Sequence, residues 1–381
     1  MQHQRRILRI ALDGDTLGRK RTGDESYLAS LMLGLGSADA RNEYVVFTRD
    51  PEREARRFAV LDGDRWRFRR VGPNSVWLRH PLGLPRALRR ERPDVFHAQY
   101  FLPPRCRCRC VLTVHDISFA VRPEYFTLRD RVFLGALVPS ALRRAARVIT
   151  DTEYTRADLL SRYRLDPARI SVIPLAADAR HQPLDRERCR AEIRRRHGFD
   201  TPFILFVGTF QPRKNLSTLV RAYGMLRERA ALPHKLLVVG KPKYMYEAIH
   251  QAIRDTRCEP HVVFAGFVDD ADLPTYYNAA DVFAFPSLYE GFGLPVVEAM
   301  QCGTPVVCSS ASCLPEVAAD GALLVDPHQP EAFREALERV LTDAAFAENL
   351  RERGLRRAAQ FSWERTARET LRVYDQAASD S

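Results

Sequence analysis

Two successive series of short apolar runs, each run followed by a helical or turn segment, constrain this chain more than any other feature. Residues 7–12, 44–47, 94–97, 111–114 and 148–150 read as strands of a first series, and residues 203–207, 236–239, 262–265, 282–285 and 305–308 as strands of a second. Such alternation predicts parallel sheets with crossover helices. Between the series, after Ser171-Val172-Ile173-Pro174, the chain turns polar and charged through residues 176–200, with a short helix expected around 188–197. The expected fold is therefore α/β, with two Rossmann-like, doubly wound domains. Residues 1–178 would form the N-terminal domain, 179–200 a linker and 201–360 the C-terminal domain, with a helix at 361–381 crossing back to the first domain. A chain of 381 residues that is 45% hydrophobic can fill two cores. Open sheets of this kind bind ligands beyond the carboxyl ends of their strands, so two facing domains would enclose a cleft.

No apolar run approaches the roughly 18–20 residues of a membrane-spanning helix. The opening residues place charge before apolar residues, as a leader does, but Asp13 and Asp15 interrupt them, so a first strand and a cytoplasmic protein are expected. The charge is uneven. Residues 1–180 hold 34 Lys+Arg against 21 Asp+Glu, whereas residues 201–381 hold 19 against 23. A basic first half suits an anionic membrane surface or a phosphorylated lipid carrier, or is simply a solvated arginine-rich face. Nucleic acid is disfavoured, because no aromatic-basic recognition motif accompanies the charge. Eight cysteines are too few for a disulfide scaffold, and reduced thiols are expected. Cys106, Cys108 and Cys110 look like a metal site. No second cluster of zinc-like spacing follows them, and alternating strand residues point to opposite faces, so no metal is expected.

The most informative segment is Tyr289-Glu290-Gly291-Phe292-Gly293-Leu294-Pro295-Val296-Val297-Glu298, which follows a strand. Glycines there allow close approach of backbone to a ligand, and the following helix start offers N–H groups and a positive dipole end to phosphate. Glu290 and Glu298, eight residues apart, can address one ligand only across a loop-to-helix break. A second segment, Gly208-Thr209-Phe210-Gln211-Pro212-Arg213-Lys214-Asn215, ends the first strand of the second domain. Lysine occurs five times in the chain, and Lys214 and Lys241 each follow a strand of that domain. There a mobile cation can stabilise a leaving diphosphate.

In these segments the chain resembles the retaining glycosyltransferases of family 4, which have the GT-B fold and an E-x7-E element matched by Glu290 and Glu298. The resemblance implies that Glu290 and the backbone of Gly291, Phe292, Gly293 and Leu294 meet the donor sugar and that Glu298 binds the ribose. It further implies that Lys214 is the diphosphate-binding lysine. Many members have arginine directly after the glycine where this chain has Thr209; the Gly-Thr-x-x-Pro-Arg-Lys-Asn version is similar to a mannosyltransferase-like branch, in which Arg213 would supply the second charge. Val268, in Gly266-Phe267-Val268, is placed like backbone that contacts the nucleobase. His115, ending a strand in Thr113-Val114-His115-Asp116, matches a family histidine that contacts the donor sugar. Gly14 and Gly23 flank a loop that would lie on the acceptor side. His97 stands between cleft lining and core packing.

The expected reaction is transfer of a hexose, mannose favoured, from a nucleoside diphosphate sugar to a hydroxyl of a glycan or lipid-linked acceptor, with retention. No cofactor or metal is expected: the Asp13-Gly14-Asp15 spacing falls after the first strand of the acceptor-side domain. His115, Lys214 and Glu290 are the expected catalytic residues. A GT-B epimerase or phosphorylase is the alternative, and a noncatalytic anion-binding protein comes last.

Overall fold

The computed structural model describes residues 6–19, 23–61, 63–73, 75, 78–230, 232–241 and 247–379. Lys20 and Lys243 lie outside them. The chain divides into two compact units, one made of residues 1–175 and 363–381 and the other of residues 176–362.

The first unit is built on a seven-stranded sheet. Its strands are β1 (Arg9–Asp13), β2 (Glu43–Thr48), β3 (Trp66–Arg70), β4 (Val95–Gln99), β5 (Arg109–Thr113), β6 (Arg147–Thr150) and β7 (Ile170–Val172), in the order β3-β2-β1-β4-β5-β6-β7. The second unit holds β8 (Phe203–Val207), β9 (Lys235–Val239), β10 (Val262–Gly266), β11 (Val282–Phe285), β12 (Val306–Ser309) and β13 (Leu323–Val325), in the order β10-β9-β8-β11-β12-β13. Every pairing is parallel. Parallel strands covered on both faces need continuous apolar side chains, and all five residues of β8 and all four of β11 are buried. In both sheets the strand order reverses once, between β1 and β4 and between β8 and β11. Crossovers leave on opposite sides there and open a crevice at the carboxyl ends.

Three strands escape the pattern of apolar runs. β3 is an edge strand, Trp-Arg-Phe-Arg-Arg, in which buried Trp66 and half-buried Phe68 alternate with arginines; β7 and β13 span three residues each. The charged stretch 179–200 is not a free linker. Its helix Arg186–His197, capped by the Asp185 carboxylate on the Arg188 N–H, buries Cys189 and Ile193 within the second unit. Arg186 and Arg190 both donate to Asp281 at 2.8 Å, and the Leu184 N–H donates to Asn278 at 2.8 Å. Net charge along the sequence hid these pairings. The helix Trp363–Ser379 belongs to the first unit, where it packs along the helix Gly23–Ala38. A Cβ on Gly34 would stand 2.7 Å from the Trp363 carbonyl oxygen, so the two backbones meet where the side chain is missing.

Among the described residues no helix is long and apolar enough to cross a membrane.

Candidate active site

The crevice of the second sheet is built by the loops after β8 and β11. After β8 the chain makes a tight turn, Pro212–Lys214, and leaves it through Asn215, whose φ of 54° is left-handed. Asparagine tolerates that conformation because its short polar side chain bonds locally. Here the amide donates to the Pro286 carbonyl at 3.1 Å and the Pro327 carbonyl at 2.8 Å. The Arg213 carbonyl accepts from the Leu288 N–H at 2.7 Å, so the two loops are joined before any charge is considered.

That scaffold brings Arg213, Lys214 and Glu290 together. Lys214 Nζ lies 2.6 Å from Glu290 Oε1 and Arg213 Nη1 lies 2.8 Å from Oε2, while the Ser287 hydroxyl donates to Oε1 at 2.5 Å. The Lys214 ammonium also stands 4.8 Å from the centre of the Phe285 ring. Burial by itself would raise the Glu290 carboxyl, but the charges of Arg213 and Lys214 and their hydrogen bonds prevail and hold it at about 2. Glu290 is therefore a fixed anion at neutral pH, too weak a base to carry protons. Its work here is to hold two cations at the sheet's crevice.

Gly293, with φ at 90°, makes the break between that loop and the helix Leu294–Gln301. Gly291 and Phe292 are buried just before it, and Leu294 opens the helix half-buried. Glu298, one turn further on, accepts from the Tyr277 hydroxyl at 2.8 Å and has His181 Nε2 at 4.0 Å. Glu290 and Glu298 thus hold separate sets of partners.

A glycine follows each of β8 and β9 and another ends β10, where neighbouring backbones touch. The Gly208 N–H donates to the Val239 carbonyl at 2.9 Å and the Gly240 N–H to the Gly266 carbonyl at 2.8 Å. Thr209 is exposed in the turn after Gly208. Lys241 is exposed after β9, with its ammonium 4.6 Å from the centre of the Phe267 ring, and Val268 is buried after β10. Among the described residues, the hydrogen-bond and ion-pair partners of Glu290 do not include these three.

His115, Gly14 and Gly23 belong to the first unit. His115 follows β5, with Nδ1 2.7 Å from Asp151 Oδ2 and Nε2 3.0 Å from Gln99 Oε1. The Tyr27 ring stands edge-on to it at 4.6 Å. Burial alone would lower its pKa, but the Asp151 carboxylate beside it, helped by Asp24 and Asp116, lifts it to about 9, so the ring keeps its second proton at neutral pH. His97 is a core residue: its nitrogens meet the Tyr374 hydroxyl at 2.6 Å and the Thr113 hydroxyl at 2.7 Å, and burial brings it down to about 3. Gly14 is cramped, since an added Cβ would stand 2.9 Å from Val46 Cγ1 and 3.0 Å from the Phe47 carbonyl. Gly23 opens the helix Gly23–Ala38 with nothing within 4 Å of an added Cβ.

In one cluster near Gly14, Asp13 and Asp15 stand out in the sequence but their buried partner does not. Arg79, fully buried, pairs with Asp13 at 2.7 Å and lies 3.4 Å from Asp15, which also holds Arg49 at 2.8 Å and Arg19 at 3.0 Å. Arg79 is one arginine of many in a basic half, and only tertiary structure singles it out.

The two reversing parallel sheets, with a cation pair at the reversal of the second, define the GT-B class of glycosyltransferase. The glycosyl transferases group 1 family matches residues 190–357, and Glycosyltransferase Family 4 matches residues 22–181. The chain is 33% identical over 298 residues to the O-antigen chain mannosyltransferase B of Escherichia coli, spanning 78% of both chains. It is 36% identical over 317 residues to a D-inositol 3-phosphate glycosyltransferase of Salinispora tropica, spanning 75% of this chain and 64% of that one. The sucrose-phosphate synthase structure from Thermosynechococcus elongatus superimposes with a TM-score of 0.78 at 23% identity, covering 98% of this chain and all of the other. This chain belongs to glycosyltransferase family 4.

Proposed function

We propose that this glycosyltransferase moves a hexose, with mannose favoured, from a nucleoside diphosphate sugar to a hydroxyl of a glycan or lipid-linked acceptor, with retention and without a metal ion. The pairing of Lys214 and Arg213 on one buried carboxylate carries the reading. A departing diphosphate gains negative charge as the bond from the anomeric carbon to its oxygen breaks. Two cations already held in place stabilise that charge without reorganising at the moment of reaction. The start of the helix Leu294–Gln301 adds a dipole end of the same sign. The acceptor oxygen attacks on the face the phosphate leaves, and the leaving phosphate oxygen takes its proton; no protein base is then needed. Glu290 positions the cations and, with Gly291, Phe292 and Gly293, borders the sugar. Glu298 takes the ribose, the backbone at Val268 the base, and Thr209 and Lys241 the edge of the diphosphate. We assign His115 to the donor sugar, its Nε2–H exchanging Gln99 Oε1 for a sugar hydroxyl, and Gly14 and Gly23 to the acceptor. The Escherichia coli relative, an O-antigen chain mannosyltransferase, supports mannose.

Calorimetric titration with GDP, UDP, ADP and dTDP tests the donor site. About micromolar binding of one diphosphate, GDP first among them, is expected. Failure of all four to bind would remove the donor reading.

The same proposal places the enzyme in the cytoplasm at the inner membrane face. Arg86, Arg89, Arg90 and Arg92 are exposed, and Leu128 and Val132 stand exposed beside Arg129 and Arg131. Arginines beside exposed aliphatic side chains suit an anionic lipid surface. At low salt the chain is expected to sediment with anionic vesicles and not with neutral ones; equal binding to both defeats the membrane placement.

A further inference from the structure

The expectation that Cys106, Cys108 and Cys110 point to different faces is overturned. Spacing by two, not by one, puts residues of an extended chain on the same face. In Arg105-Cys106-Arg107-Cys108-Arg109-Cys110 the three arginines are exposed, Cys106 and Cys108 are half-buried and Cys110 is buried. The three sulfurs lie within 4.8 Å of one another, with Cys106 Sγ and Cys108 Sγ 3.1 Å apart. The Cys106 and Cys110 thiols both turn toward the Cys108 carbonyl oxygen, at 3.7 and 3.6 Å. The other five cysteines form no such group among the described residues.

We propose that these three cysteines form a thiolate site for a thiophilic d10 cation, Zn2+ or Cu+, in the first unit and separate from the transfer chemistry. Sulfurs on a tetrahedral metal with bonds of about 2.3 Å stand roughly 3.8 Å apart, a spacing the cluster reaches by small side-chain rotations. Soft thiolates select these two cations. Each thiol that binds gives its proton to solvent, and the exposed arginines on the opposite face of the segment offset the negative charge of a three-thiolate complex. Three sulfurs satisfy Cu+; Zn2+ keeps a fourth position for water, which the half-buried setting of Cys106 and Cys108 admits. A bound ion closes the connection between β4 and β5 on itself. That connection begins at Tyr100, whose ring packs edge-on against His115 at 5.8 Å, so occupancy stiffens one wall around the histidine.

The test uses the full chain, reduced and desalted without oxygen, titrated separately with Zn2+ and with Cu+ against chromophoric competitors. About one equivalent of at least one cation is expected per chain, lost in Cys106→Ser and in Cys108→Ser. Co2+ added to the unsubstituted chain gives an intense thiolate-to-metal absorption band, which reports sulfur ligation without relying on any variant. The metal that binds in the competition assay identifies the cation. Absence of stoichiometric binding of both cations overturns the proposal. So do undiminished binding in Cys108→Ser, a missing cobalt–thiolate band in a chain that binds Zn2+, or recovery of Cys106 and Cys108 as a disulfide under those reducing conditions.

Discussion

Replacing Lys214 by alanine is expected to lower kcat/KM by about 10²–10³-fold, the effect of deleting one preorganised electrostatic stabiliser of a transition state. The chain should still fold. Glu290 keeps Arg213 at 2.8 Å and the Ser287 hydroxyl at 2.5 Å, so its charge is not stranded. Arginine is not a conservative replacement, because a planar fork cannot take the place of a compact ammonium 2.6 Å from Oε1 and packed over Phe285. Donor turnover, followed as release of nucleoside diphosphate, measures the loss, and circular dichroism confirms the fold. A kcat/KM within threefold of the unsubstituted enzyme would contradict the assignment of Lys214 to the leaving group. Substituting Glu290 is a poorer probe, since it leaves two cations unpaired in a buried place and confounds stability with catalysis.

Gly240→Ala is expected to destabilise the second unit by about 3–5 kcal/mol, by combining a strained backbone with a backbone clash. The residue sits at φ 143°, and a Cβ there would stand 1.9 Å from the Gly208 carbonyl oxygen and 2.8 Å from its carbon. Neither atom is the end of a flexible side chain, so the two strand ends must part, and with them the Phe210 N–H bond to the Lys241 carbonyl. Gly266→Ala is the matched control. Its φ is 71°, but nothing lies within 4 Å of an added Cβ, so only the conformational cost of about 1 kcal/mol remains. Urea unfolding of the two variants measures the difference. Equal midpoints would mean that the glycine contact at the ends of β8 and β9 is not tight.

The second unit was the more legible one, and the reason is physical. β8 and β11 lie in the middle of a covered parallel sheet, so each had to be apolar throughout, and each was bounded to the residue. β3 is hidden because an edge strand can alternate with arginine, and residues 179–200 read as a linker because nothing local shows that Arg186 and Arg190 pair with Asp281, 95 and 91 residues away in sequence. Lys214 and Glu290 are each visible in the sequence as residues in a loop that follows a strand. That they hold each other, 76 positions apart, follows from the strand order, which brings β8 beside β11. The cysteine triplet is fully visible in the sequence, and its spacing by two, the period of an extended chain, is what puts the three side chains on one face. Arg79 had no pattern to betray it.

The helix Trp363–Ser379 has a further consequence for biosynthesis. The second unit is one unbroken stretch, 176–362, set inside the sequence of the first. During synthesis from the ribosome, at about 5–20 residues per second, it can close on itself while the first unit still lacks its last helix. Until that helix is made, Tyr374 cannot reach His97, the Thr366 hydroxyl cannot reach the Pro174 carbonyl, and the surface of Gly23–Ala38 that takes Trp363 is bare. The part of the first unit made first thus waits for the part made last.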